Sequence, residues 1–385
     1  MFDLEKSVKT TEQLHQLGQS LWLDNITRGL LTSGTLERYI RDLSITGLTS
    51  NPSIFDHAIR DTGFYDEAIR GKLQAAQLGE KLFFELALED LKKAADLFRP
   101  IHDATNGMDG WVSLEVSPIL ADEPVKTLEA AKQLFTAADR PNLFIKIPGT
   151  PKGLSAIEEA IFAGIPVNVT LLFSSDQYLK AAGAYMRGVE RRIKAGLTPA
   201  VHSVASIFIS RWDKAIAGNE PDGLRDCLGI AVARQAYKAY RELLISSQWL
   251  QLAAQGAPAQ RLLWASTGTK DPKASDTFYI SGLAAPDTIN TMPEATLLAF
   301  ADHGQAPSAL PVDGGDCESV LDRFARAGID IGELAEQLQR EGAEAFVKSW
   351  NDLMLCIESK AHAVDAHACK SIDVKGMSHR DRRKR

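Results

Sequence analysis

Eight short runs of β-branched and aromatic residues, each followed by a helical segment, leave this chain few ways to fold. The runs are Ser20–Asn25, Ser44–Pro52 with its closing turn, Trp111–Pro118, Asn142–Thr150, Pro166–Phe173, His202–Ile209, Arg261–Ser266 and a weaker one at Asp287–Thr291. Their composition and their Gly, Pro and Asn borders mark them as strands. Between them, Gly34–Ile40, Asp56–Arg70, Leu78–Phe98, Pro124–Ala138, Gly153–Ala163, Ser175–Ala195 and Arg225–Leu244 read as helices, with apolar residues at helical spacing in Leu78–Phe98. An opening helical segment ends at Gly18, and the chain from about Pro293 reads as helices and loops. Eightfold alternation implies a parallel sheet, because parallel neighbours need a crossover between them. Closed on itself, that sheet is an α/β fold of the (β/α)8 TIM-barrel class, a single domain with additional C-terminal helices. A chain of 385 residues fits this class. A doubly wound open sheet would carry a glycine-rich phosphate turn after its first strand, and neither G-x-G-x-x-G nor a Walker sequence occurs. The expected domain spans residues 1–365, with 366–385 as a basic, disordered tail ending in Arg380-Asp381-Arg382-Arg383-Lys384-Arg385.

One lysine sits in the middle of the fourth run. Alternation along a strand puts Phe144 and Lys146 on one face and Leu143, Ile145 and Ile147 on the other. An ammonium among such neighbours must lose water, pair, or give up its proton. A lysine that snorkels to solvent from an edge strand is the competing account, and this strand alone does not choose between them.

In an eight-stranded α/β barrel the chemistry gathers at the C-terminal ends of the strands. Polar residues recur there on strand after strand: Asp24 closes the first, Asn51 follows the second, and Glu115 stands near the end of the third. Asn168 and Thr170 alternate with valines in the fifth, Ser206 shares a face with Phe208 in the sixth, and Arg211 lies just beyond. Singly, each has an ordinary explanation, such as the Asn51-Pro52 turn signature. Together they describe a polar pocket with one lysine, two carboxylates, two amides, two hydroxyls and an arginine at the rim. His102, His202 and His303 show no metal-ligand spacing, and no G-x-S-x-G elbow occurs, so lysine is the best candidate nucleophile.

A net charge of −7 argues against nucleic acid or an anionic membrane surface as the partner, while leaving room for a small anionic substrate. The longest apolar stretch, Ile161–Phe173, is interrupted by Gly164, Pro166 and Asn168 and is too short and too polar to span a bilayer. The start has acidic residues early and no apolar core of a secretory signal. Cys227, Cys317, Cys356 and Cys369 form no C-x-x-C pair, as expected for reduced structural thiols of a cytoplasmic protein.

The segments Leu21-Trp22-Leu23-Asp24, Gly47-Leu48-Thr49-Ser50-Asn51-Pro52-Ser53, Ser113-Leu114-Glu115-Val116, Phe144-Ile145-Lys146-Ile147-Pro148 and Asn168-Val169-Thr170-Leu171-Leu172-Phe173 together resemble transaldolase. Pro286–Pro293 and Phe346-Val347-Lys348-Ser349-Trp350 are similar to its longer bacterial form, and the resemblance runs from about Ser20 to about Lys360. It implies a class I aldolase mechanism on a (β/α)8 barrel, with sugar-phosphate substrates and with no metal or organic cofactor. Lys146 matches the lysine that forms a Schiff base with a ketose phosphate, and Asp24 matches the base that takes the C4 hydroxyl proton. Glu115 and Thr170 match the pair that holds a proton-shuttling water. Asn51, Asn168 and Ser206 match residues that hydrogen-bond the retained dihydroxyacetone unit. The implied reaction converts sedoheptulose 7-phosphate and glyceraldehyde 3-phosphate into erythrose 4-phosphate and fructose 6-phosphate. Arg211 fits the family's phosphate arginine, whereas the second arginine of many members is replaced here by Ser266-Thr267-Gly268-Thr269-Lys270, leaving Lys270 to supply the charge. Phe208, where free aldolases of the superfamily commonly have tyrosine, favours transfer. Free cleavage of fructose 6-phosphate and a non-catalytic sugar-phosphate-binding barrel are the alternatives. Monomer and homodimer both remain open.

Overall fold

The computed structural model describes residues 9–75, 78–305 and 308–380. Eight parallel strands close into one barrel in sequence order: β1 (Ser20–Asp24), β2 (Ile45–Thr49), β3 (Trp111–Glu115), β4 (Leu143–Pro148), β5 (Val167–Leu172), β6 (Ser203–Phe208), β7 (Arg261–Ala265) and β8 (Ile289–Met292). Each lies in or overlaps one of the eight runs expected from sequence. The closing pair is β1 with β8, where Leu21 lies opposite Asn290. Alternation along the strands separates two apolar layers. Leu143, Ile145 and Ile147 pack outward with Val112, Leu114, Val167 and Val169 against the helices. Phe144 points inward with Trp22, Trp111, Val204 and Leu263.

The inward layer fills the lower barrel and forces one glycine. Trp111 stacks on Phe144 at 4.0 Å between ring centroids, and Trp22 lies 6.2 Å from Phe144. A Cβ at Gly47 would stand 2.6 Å from the Trp22 ring and 2.7 Å from the Trp111 carbonyl, so only glycine lets the indole cross β2. Below the rings, Asp109 accepts hydrogen bonds from the Trp22 indole (2.8 Å) and the Ser20 hydroxyl. Arg261 donates to Ser20 (2.7 Å), to the Thr288 carbonyl (2.9 Å) and to the Met108 carbonyl (3.0 Å).

The helical layer differs from the sequence expectation in three places. The segment expected as one helix over Asp56–Arg70 is two, Pro52–Arg60 and Asp66–Gln74. Asn51 caps the first of them, with Pro52 at its opening position. The break buries Tyr65, whose hydroxyl donates to Asp90 at 2.8 Å. Second, short helices at Arg28–Thr32, Ser210–Ala215, Ser247–Ala253 and Phe278–Gly282 are too brief to show a 3.6-residue period. Third, the C-terminal region ends in one long helix, Ile331–Arg380, which packs against Pro52–Arg60, Asp66–Gln74 and Gly79–Ala104 and reaches β5. Trp350 of this closing helix sits 5.2 Å from Phe83 and 5.6 Å from Phe84. The backbone stays helical beyond residue 365 to Arg380, and residues 381–385 of the basic run lie outside the described residues. Among the described residues no helix is long and apolar enough to cross a membrane.

Candidate functional site

Parallel register brings three of the polar strand residues side by side. Lys146 lies opposite Glu115 on β3 and opposite Asn168 on β5. The Lys146 side chain is buried; its Nζ donates to the Ser50 carbonyl at 3.3 Å and stands 3.9 Å from Glu115 Oε2. The Phe346 ring lies 5.8 Å from the same nitrogen. Glu115 is buried too, and neither carboxyl oxygen finds a hydrogen-bond donor among the described residues. Burial pushes its pKa up to about 7, with the Lys146 ammonium pulling it back and the nearby Asp24 charge adding to the rise. A carboxyl poised there takes and returns protons at neutral pH.

Thr170 is fully buried, and its hydroxyl oxygen also lacks a partner among the described residues. The next residue, Leu171, takes a left-handed backbone (φ 59°) where the β5–β6 register shifts, a strained geometry for a leucine. Gln339 of the closing helix holds that bend by donating to the Leu171 carbonyl (2.9 Å) and to the Gly149 carbonyl beyond β4 (3.2 Å). Asn168 is fixed on both sides: its carbonyl accepts from Ser206 at 2.7 Å, and its amide donates to the Ser113 hydroxyl at 3.1 Å.

Across the mouth, Asp24 accepts from the Thr49 hydroxyl at 2.7 Å. With its proton committed to that carboxylate, Thr49 accepts from Thr291, also at 2.7 Å. Asn51 uses its carbonyl oxygen to cap Pro52–Arg60, accepting from Ile54 N (3.1 Å) and the Ser53 hydroxyl (2.6 Å). Its amino group stays free of partners among the described residues and lines the opening.

These groups surround a cleft of about 810 Å³ counted out to solvent, lined by Asp24, Asn51, Lys146, Ser206, Phe208, Arg211 and Lys270 among others. Glu115, Asn168 and Thr170 do not line the open space; they lie buried in the strands next to its floor. Arg211 is half-buried, with its guanidinium carbon 4.9 Å from the Phe208 ring centre. Burial lowers its pKa while Glu341 acts in the opposite sense. Lys270 is exposed at the rim. The cleft therefore presents the Lys146 amine, the Asp24 carboxyl and a pair of cations at the outer edge, with the Glu115 carboxyl buried beside its floor. Among the described residues no group of His, Cys, Asp and Glu is arranged to hold a metal ion.

Sequence reasoning missed Thr49, Thr291, Ser266, Gln339, Phe346 and Ser349 as parts of the site. The two threonines could have been found, since Thr49 ends β2 and Thr291 is the last residue but one of β8. Phe346 and Ser349 come from the closing helix, and nothing in its pattern says that it crosses the barrel mouth.

The family described as Transaldolase/Fructose-6-phosphate aldolase matches residues 21–357. The chain is similar to "Transaldolase" of Frankia alni, 43% identical over 352 residues that cover 89% of this chain and 95% of that protein. It is 43% identical to "Transaldolase 1" of Streptomyces avermitilis over 364 residues, covering 92% of this chain and 96% of the relative. "Transaldolase 2" of Nostoc punctiforme is 38% identical over 367 residues, covering 90% and 96%.

Proposed function

Since the chain belongs to the transaldolase/fructose-6-phosphate aldolase family, we propose that it is an enzyme transferring a dihydroxyacetone unit between sugar phosphates through an imine on Lys146. Sedoheptulose 7-phosphate is the donor and glyceraldehyde 3-phosphate the acceptor, giving erythrose 4-phosphate and fructose 6-phosphate. The observation that carries this reading is the buried Lys146 amine at the cleft, 3.9 Å from a carboxyl whose oxygens have no other described partner.

The Lys146 amine adds to the ketone carbon, and loss of water leaves an iminium ion. Glu115 and the Thr170 hydroxyl, holding a water between them, carry the protons that this dehydration and its reversal require. Asp24 then takes the proton of the C4 hydroxyl. The C3–C4 bond breaks, its electron pair flows into the iminium to give an enamine, and the aldose phosphate departs. The enamine attacks the acceptor aldehyde, Asp24 returns the proton, and hydrolysis frees the lysine. Asn51 and Ser206 hold the three-carbon hydroxyls from the cleft wall, with Asn168 behind them bonded to Ser206. Arg211 and Lys270 take the phosphate, and Phe208 closes the wall beside Arg211. Residues 1–365 form this catalytic unit, 366–385 are a basic extension, and the enzyme works in the cytoplasm.

Borohydride reduction in the presence of fructose 6-phosphate, followed by intact mass and peptide mapping, tests the reading. A three- or six-carbon adduct confined to the Lys146 peptide is expected. No adduct on folded protein, or an adduct on another lysine, overturns it. Adding erythrose 4-phosphate separates transfer from free cleavage, because transfer regenerates a seven-carbon product.

A further inference from the structure

The closing helix carries a glycine, Gly342, in its interior, where alanine would favour the helix more. The reason lies in what crosses it. A Cβ at Gly342 would stand 3.2 Å from Arg211 Nη1 and 3.0 Å from Leu171 Cδ2. Both distances are tighter than ordinary packing, so any side chain there displaces its neighbours. Leu171 has little room to yield, because its side chain is fully buried in the inward apolar cluster that also holds Phe173 and Phe208. Arg211 is therefore the group that moves.

Arg211 is placed by its packing, with the Glu341 charge acting on it only at longer range. It makes no hydrogen bond or ion pair with another described residue, and Phe208 flanks it with its ring. Phe208 in turn lies 6.4 Å from Phe346, which is on the closing helix one turn beyond Gly342. The guanidinium thus lies between an aromatic wall and the side-chain-free position of the helix at Gly342, with its donors unspent. A side chain at 342 would fill the space on the helix side of that slot.

We propose that Gly342 is the positioning residue for Arg211: its missing side chain sets where the guanidinium sits, and with it the enzyme's selection of phosphorylated over unphosphorylated sugars. This rests on the reading of Arg211 as a phosphate ligand. Charge-assisted, two-pronged contacts lose strength with small displacements, so the expected effect grows with side-chain size.

The test compares Gly342→Ala and Gly342→Leu with the parent enzyme and with Arg211→Ala. KM for fructose 6-phosphate should rise about threefold for Gly342→Ala and about tenfold or more for Gly342→Leu, with kcat nearly kept. Inhibition by inorganic phosphate should weaken in parallel. Borohydride trapping of Lys146 with dihydroxyacetone, which carries no phosphate, should stay at the parent level. A purely structural role of the close approach predicts a lowered Tm from the crowding, with KM and phosphate inhibition unchanged. Unchanged KM and phosphate inhibition in both variants, while Arg211→Ala loses them, overturns the role of Gly342. Unchanged phosphate inhibition in Arg211→Ala itself overturns the phosphate reading of Arg211 instead.

Discussion

At the scale of residues, the site turns on two neighbours in register, Lys146 and Glu115. Their facing could be worked out from sequence because a strand has only two sides, and Phe144 and Lys146 had to share one. What could not be read was the surroundings of Glu115, since an orphaned pair of carboxyl oxygens is a fact of three-dimensional packing. Burial outweighs the Lys146 ammonium there and holds the carboxyl at about 7. Lys146→Met therefore does two separable things. Activity should fall by about four orders of magnitude or more, as expected when a covalent nucleophile is removed. The Glu115 carboxyl should also titrate above about 7, because the cation that lowers its pKa is gone. Infrared difference spectra of the carboxyl stretch against pH would check the second effect, and a midpoint at or below that of the parent would contradict it. Glu115→Gln should cut kcat by about 10²–10⁴ and remove the limb of the kcat–pH profile nearest neutrality.

At the scale of elements, the eight strands were legible and the closing helix was not. Strands announce themselves by β-branched runs between Gly and Pro, and eight in alternation admit one closed arrangement. The path of Ile331–Arg380 depends instead on long-range contacts, with Trp350 against Phe83 and Phe84 and Gln339 reaching Leu171 and Gly149. Sequence periodicity marks an apolar face on such a helix without saying what it will cover. The four short helices escaped for a different reason, being little more than one turn each. Gln339 is where the helix and the site are joined, because it satisfies two carbonyls at the ends of β4 and β5. Gln339→Leu keeps the approximate bulk and strands both acceptors in a buried setting, at a cost of about 2–3 kcal/mol. The Tm should fall accordingly. Because Leu171 adjoins Thr170, kcat should drop as well, by about tenfold, with KM for the donor changing less. A lowered Tm with full kcat would mean that the bend at Leu171 survives without its amide.

At the scale of the whole molecule, the barrel has a chemical end and a structural end, and each buries a titratable group whose charged form is penalised. At the mouth, Glu115 is raised from 4.5 to about 7 by burial. At the other end, beside Trp111 and the Arg261 floor, His202 is lowered from 6.5 to about 4, chiefly by burial and then by the neighbouring His102 and Arg261. The two act on stability with opposite signs. Between pH 4.5 and 7 folded Glu115 keeps a proton that the unfolded chain has released, so its contribution to stability falls as pH rises. Between pH 4 and 6.5 unfolded His202 holds a proton that the folded chain refuses, so its contribution rises with pH. Over the shared span from 4.5 to 6.5 they offset one another in the parent enzyme. Single variants therefore separate them. The stability of the parent minus that of Glu115→Gln should decline by up to about 3 kcal/mol from pH 4.5 to 7, and the parent minus His202→Gln should climb by a similar amount from pH 4 to 6.5. Urea unfolding at half-unit pH steps would measure both curves, since the shared groups cancel in each difference. A Glu115 difference that rises with pH would place the ionised carboxylate, not the neutral acid, in the resting enzyme. Glu115 would then enter the dehydration step as a proton acceptor instead of a donor.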